Sequence, residues 1–249
     1  MPVSPRQALA LAALALIALA SCASPFGRQY EYEEELYLDL DGSATLVVNS
    51  SLAALAALHG LDVPLDPTAS VDRDAIRELY ASPVTDVTRV SRPWRRDGRR
   101  FVQIRMEVSD VRQLPSVRPF AWAEYGMTTL GDGLQFVQQL GPVEGRDVGD
   151  VGWDGQELVA IRLHLPSRVT HHNAPSKEIE RGNILTWEQP LTARLAGEPL
   201  EVDARFGAQR ILVLTVALFL AAMAAAALTV TGLVWWVVRK GRQRNAAAA

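Results

Sequence analysis

The chain has 249 residues, of which 49% are hydrophobic and 21% charged, with a formal net charge of −3 and one cysteine. A single cysteine excludes an internal disulfide scaffold, and the mixed composition excludes a collagen-like repeat and extensive disorder. Apolar residues concentrate at 8–22 and 211–238, which leaves roughly 185 residues for a folded part and excludes a polytopic transporter.

At the N-terminus, Arg6 precedes an uninterrupted helix-prone apolar run over 8–18, too short to span a bilayer. This is the layout of a secretory signal. The run ends in Leu19-Ala20-Ser21-Cys22, which resembles the bacterial lipobox, where a branched residue and two small ones precede a cysteine that becomes lipidated. The resemblance implies that 1–21 is a signal peptide removed on export. It also implies that Cys22 carries a diacylglyceryl thioether and an acylated amino terminus. Two or three acyl chains, at about 0.8 kcal/mol per buried methylene, anchor a protein stably where one would be marginal. Residues 22–28 then form the lipidated end and a short tether. The exported part has no further cysteine, which suits an oxidising compartment.

Within 29–206 the first pattern is a hairpin, in which alternating residues up to Leu40 meet Asp41-Gly42 and resume at Ala44. Ser50 or Ser51 caps a short helix through Leu52, Leu55 and Leu58 that Gly60 ends, and Ser70 or Asp72 caps another through Val71, Ile76 and Leu79. A second hairpin joins 84–90 to 101–108, turning at Asp97-Gly98. Strand-like pieces follow at 121–125, 134–140, 158–165, 184–187 and 200–206, separated by glycine- and proline-bearing turns. Strands dominate and helices cluster after the first hairpin. The expected class is α+β, with an antiparallel sheet packed on one face by a few short helices.

The segment 211–238 carries no charge and is followed by Arg239, Lys240, Arg242 and Arg244. As a helix it would be roughly 42 Å long, more than the roughly 30 Å a hydrocarbon core requires. Trp235 and Trp236 lie beside the basic cluster, where indole rings favour the headgroup level. The cations place the tail 239–249 in the cytoplasm and the domain outside, on the same side as the lipid on Cys22. The alanine-rich stretch 221–227 would let a second helix approach closely. Ala23 after the cysteine would permit sorting to an outer membrane, whereas the span retains the chain in the inner (cytoplasmic) membrane. The tether 23–28 reaches only roughly 20 Å and 207–210 only roughly 13 Å, so both ends of the domain must lie near one membrane face.

Three constellations bear on chemistry. Arg92, Trp94, Arg95, Arg96, Arg99 and Arg100 surround the Asp97-Gly98 turn and are candidate contacts for anionic lipid headgroups, since guanidinium forks match phosphate oxygens. Against this, the exported domain carries a net charge of about −8, so the cluster could instead neutralise Glu33, Glu34 and Glu35. His171 and His172 point to opposite faces of an extended segment and, with His164, offer no metal-ligand spacing. Glu31, Glu33 and Glu35 share one strand face and read as solvated rather than as a glycosidase pair. No nucleophile motif, phosphate cradle or basic surface for nucleic acid is present, and no cofactor is expected.

The later part runs Leu163-His164-Leu165-Pro166-Ser167-Arg168-Val169-Thr170-His171-His172-Asn173, then Arg181-Gly182-Asn183-Ile184-Leu185-Thr186-Trp187. It resembles the closing motif of LppM-type bacterial lipoproteins, in which a strand leads to an asparagine, a loop, and a second strand reading Asn-x-x-Thr-Trp. The lipobox, the opening pair around Asp41-Gly42-Ser43-Ala44 and one C-terminal span occur in the same order. The resemblance implies an α+β surface domain, with glycolipid or envelope-lipid association proposed for some relatives, and it carries no catalytic positions. Asn173 and Asn183 would serve as turn residues, and Trp187 as a core aromatic whose indole N–H finds a carbonyl.

The sequence therefore points to a non-enzymatic envelope lipoprotein held by Cys22 and by 211–238, binding membrane lipid, an envelope lipid or glycolipid, or a partner protein. The alternative is a scaffolding or regulatory subunit of an inner-membrane complex.

Overall fold

The computed structural model describes residues 28–66, 68–143, 145–209 and 211–247. The expected signal peptide, the lipobox-like tetrapeptide and Cys22 lie outside them.

Local chemistry sets the first half of the fold. β1 (Gln29–Leu38) and β2 (Ala44–Ser51) pair antiparallel across a turn in which the Asp41 carboxylate accepts from the Ser43 amide at 3.0 Å and hydroxyl at 2.7 Å. α1 (Leu52–His59) follows at once. Ser51 Oγ accepts the Ala54 N–H at 3.0 Å, and Gly60, left-handed at φ 63°, ends the helix. All eight residues of α1 are buried, so this helix lies inside the domain. α2 (Arg73–Tyr80) is capped by Asp72 and buries only Ile76 and Tyr80, as an amphipathic surface helix should. β3 (Thr85–Val90) and β4 (Trp94–Arg96) both pair with β5 (Arg99–Val108). Asp97 and Gly98 take φ of 49° and 75°, the two positive values of a type I′ hairpin. Two 3-10 turns, Val111–Ser116 and Arg118–Phe120, then delay the next strand to β6 (Ala123–Leu130), two residues later than the sequence pattern predicts.

The remaining strands are β7 (Gly133–Leu140), β8 (Glu157–His164), β9 (Val169–His172), β10 (Ile184–Pro190) and β11 (Leu200–Gly207), with a short α3 (Leu191–Leu195) between the last two. The class is α+β, with two sheets. The larger runs β10-β8-β1-β2-β5-β3, with β4 on the end of β5, and the smaller runs β6-β7-β11-β9. Every pair is antiparallel except β1 with β8, which is parallel. The inner face of the large sheet is covered mainly by the small sheet and α1. Leu36, Leu46, Ile104 and Ile161 from one sheet share a single core with Tyr125, Phe136, Val202 and Phe206 from the other.

The two ends of the domain follow from these pairings. Gln29 starts β1 beside Glu157 at the start of β8, and the two strands run together to Tyr37 and His164. The chain leaves at Gly207, whose N–H donates to the Arg168 carbonyl at 3.1 Å, just beyond the far end of β8. Incoming and outgoing ends therefore lie at opposite ends of the strands. After β11, α4 (Ile211–Ala247) contains the stretch Thr215–Trp236, 22 residues long and apolar enough to cross a membrane, with none of it buried. Its length is about 33 Å.

Candidate functional site

The arginine-rich hairpin sits at the incoming end, and its six candidate residues divide into two sets. Arg92, Trp94, Arg95 and Arg96 are exposed. Trp94, 38% accessible, stacks on Phe101 at 5.9 Å, and Arg96 lies over the same ring at 4.1 Å while donating to the Tyr30 carbonyl. This is an aromatic and cationic tip bonded to the start of β1. Arg99 and Arg100 turn inward. Arg100 donates to the carbonyls of Pro64 and Ala69 and pins the loop after α1.

Arg99 is only 8% accessible. Its Nε bonds Glu31 Oε1 at 2.8 Å, its Nη1 donates to the Gly152 carbonyl at 2.7 Å, and Glu157 stands 3.8 Å away. The second Glu31 oxygen accepts from the Trp153 indole at 3.1 Å. Glu157 is also satisfied, accepting the backbone N–H groups of Asp154 and Gly155. Glu31 is thus buried, contrary to its expected place on a solvated face. The physical reason is a bulge. The β1–β8 register slips between Tyr30 and Tyr32, making Glu31 an extra residue that leaves the alternation of its strand.

The direct partners of Glu33, Glu34 and Glu35 are not the hairpin arginines, although Arg96 lies near enough to Glu33 to act on its charge. Glu33 pairs with Arg162 at 3.0 Å, and burial outweighs that pair to raise its pKa. Glu35 is held below its ordinary value, first by His164, whose Nε2 stands 3.7 Å away, and also by the hydrogen bond from the Tyr37 hydroxyl at 2.9 Å. His164 stacks on Tyr37 at 3.9 Å. Glu34 points between the sheets, where Gln138 Nε2 at 2.9 Å and the hydroxyls of Tyr125 at 3.0 Å and Tyr32 at 3.1 Å donate to it. Burial raises its pKa despite the three donors.

Beside it, His59 packs between Tyr32 at 5.1 Å and Trp122 at 4.7 Å, and burial lowers the imidazole pKa to about 3. Its Nε2, the Trp122 indole N–H and the Tyr80 hydroxyl make no hydrogen bond. These groups are buried, although Trp122 also borders an open cleft.

The asparagine and tryptophan motif is structural. Trp187 is buried, Asn183 adopts a left-handed turn at φ 58°, and Asn173 ends β9 against β11. His171 is exposed and His172 half-buried. Among the described residues no group of three or more His, Cys, Asp or Glu is arranged to hold a metal ion. Two open clefts flank the small sheet. One, of about 660 Å³, is lined by Trp122, Gly141, Pro142 and Leu200, at the end of the small sheet where Ala123, Leu140 and Leu200 pair. The other, of about 470 Å³, is lined by Leu130, Leu134, Thr170, Arg205 and Gly207 where the chain leaves the domain.

Comparison with known proteins gives one structural likeness. The chain is similar to the NMR structure of the Mycobacterium tuberculosis LppM folded domain, with a TM-score of 0.38 and 14% identity, over 74% of this chain and 94% of that one. No family model matches the chain, and no curated protein does.

Proposed function

We propose that the protein is a membrane-anchored, non-catalytic lipoprotein of the bacterial envelope. Its exported domain binds lipid at the face of the cytoplasmic membrane, while the helix at 211–238 and acyl chains on Cys22 hold it there. The observation that carries this reading is the direct passage from β11 into α4. Gly207 ends the last strand and Ile211 begins the helix, so the domain sits on the root of an apolar segment long enough to cross a bilayer. The exposed tip Arg92, Trp94, Arg95 and Arg96 supplies chemistry suited to anionic headgroups. The interior supports surface contact rather than an engulfed ligand, because Tyr32, Glu34, His59, Trp122 and Tyr125 occupy the space between the sheets.

The test is topological and chemical. Protease added to spheroplasts should digest the domain and leave the tail, and labelled palmitate should appear on the mature chain. A protected domain, or an unlabelled chain, would overturn the reading. Organic extraction of the purified protein followed by mass spectrometry should recover anionic lipid. A second reading, a scaffolding or regulatory subunit acting through its helix, draws on the small-residue run 221–227. Crosslinking in native membranes, with and without 211–238, distinguishes it.

A further inference from the structure

The strand pairings and the lengths of the two tethers together constrain how the domain lies. Beside β8, which advances seven residues from Glu157 to His164, β1 covers about 23 Å at 3.3 Å per residue, the bulge at Glu31 adding no length, and Arg28 lies one residue farther out. The chain comes in at the Gln29 level and leaves at Gly207, which is bonded to Arg168, just past the Tyr37 level. An upright domain balanced on the helix root would lift Arg28 at least about 26 Å from the bilayer. The covalent path from Cys22 to Arg28 spans six residue steps, roughly 20 Å at full extension, and cannot close that gap.

We infer that the domain lies on its side, its strands inclined toward the plane of the membrane, and touches an anionic lipid surface at two places. One is the hairpin tip of Trp94 at the incoming end. The other is Leu130 at the β6–β7 tip beside the outgoing end.

The residues at the two places fit that surface. Trp94 is exposed and flanked by Arg92, Arg95 and Arg96, the pairing of indole and cations that suits the headgroup layer. At the other end Gly133 pairs with Gly207, so the tip formed by Leu130, Gly131 and Asp132 is level with the start of the tether to α4. The four steps from Gly207 to Ile211 keep Gly207, beside that tip, within roughly 13 Å of the helix root. Leu130 is 46% accessible, and Arg205 and Thr170 line the same cleft. Thus two of the large apolar side chains that the folded part leaves exposed occur one beside each tether.

This placement rests on the proposed double anchoring, and the test separates the two. Single cysteines at Trp94, Arg92, Leu130, Glu124 and Met223 of the full chain are labelled with a nitroxide, and the chain is reconstituted in phosphatidylglycerol-containing vesicles. Accessibility to a water-soluble nickel chelate is then measured. Labels at 94, 92 and 130 should be protected at least about threefold relative to 124, which sits on the far end of β6 and faces water. Replacing phosphatidylglycerol with phosphatidylcholine should remove the protection at 92 and 94. Exposure of both 92 and 94 with 130 and 223 protected means an upright domain and sinks the inference while the span stands. Nickel access at 223 sinks the span. Labelling of the unsubstituted chain at Cys22 shows a free thiol and removes the second anchor, and the inference with it.

Discussion

The indole Nε1 of Trp187 donates to Oδ1 of Asn173 at 2.7 Å, joining β10 of the large sheet to the end of β9 in the small one. The same Oδ1 accepts the Asp203 N–H at 2.9 Å, and Asn173 Nδ2 donates to the Glu201 carbonyl at 3.0 Å. One side chain therefore staples both sheets at the point where the chain crosses between them. Replacing Asn173 with leucine leaves a buried indole N–H and a backbone N–H without partners. It should cost about 2–4 kcal/mol, read as a lowered urea midpoint with an unchanged slope. Asn173→Asp keeps the acceptor and should recover part of the loss.

Arg99 is the cation of a buried cluster with Glu31 and Glu157. Arg99→Met strands two carboxylates out of water and should destabilise the domain by about 3–5 kcal/mol, whereas Arg92→Met, at an exposed site, should change stability by less than about 0.5 kcal/mol. Thermal unfolding of the two variants side by side checks the contrast.

Acid should weaken the domain through His59. Its folded pKa, about 3, lies below the ordinary 6.5, so between those values the unfolded chain binds the extra proton. The stability tied to the neutral imidazole is full above 6.5 and falls with decreasing pH, by up to about 1.4 kcal/mol per unit, until about 3. Glu34 acts with the opposite sign. Its raised pKa gives stability present below the unfolded value and lost as pH rises through the folded one. Substituting His59 with phenylalanine should flatten the decline between pH 6.5 and 4 in denaturant titrations. An unchanged slope would refute the assignment to His59.

Gly145 lies flat against α1, and a Cβ there would fall 1.4 Å from the Ala57 carbonyl oxygen. The next residue, Arg146, donates its N–H to the Ala56 carbonyl and its guanidinium to Asp62 and Val63. Gly145→Ala must unseat this loop from the helix. Amide exchange should rise at Arg146 and at Gly60, which shares the Ala56 carbonyl, while β10 remains protected.

The elements legible in the sequence are those whose causes are local. Ser51 and Asp72 as caps, Gly60 as a stop, and the turns at Asp41-Gly42 and Asp97-Gly98 all act within a few residues, and all occupy the expected places. The partner of the Trp187 indole also matched in kind, a carbonyl, although it belongs to a side chain. The parallel pairing of β1 with β8 joins residues more than a hundred positions apart and leaves no local mark. Glu31 departs from the face that strict alternation assigns it with Glu33 and Glu35, because one inserted residue breaks that parity. The hairpin arginines are uniform in sequence. Only the long-range position of Glu31 and of the 64 and 69 carbonyls separates Arg99 and Arg100 from the three, Arg92, Arg95 and Arg96, that face solvent.

The parallel pair also dictates an order of assembly. β1 is bonded along one edge by β2, which follows it immediately, and along the other by β8, synthesised well over a hundred residues later. A chain made from its amino end must hold that second edge open until most of the domain, through β8, has emerged. Closure of such a distant pair is slow, and the waiting edge is a template for wrong strands. Factors that shield an unfinished sheet should therefore matter more to the yield of this protein than to that of a domain built from hairpins alone.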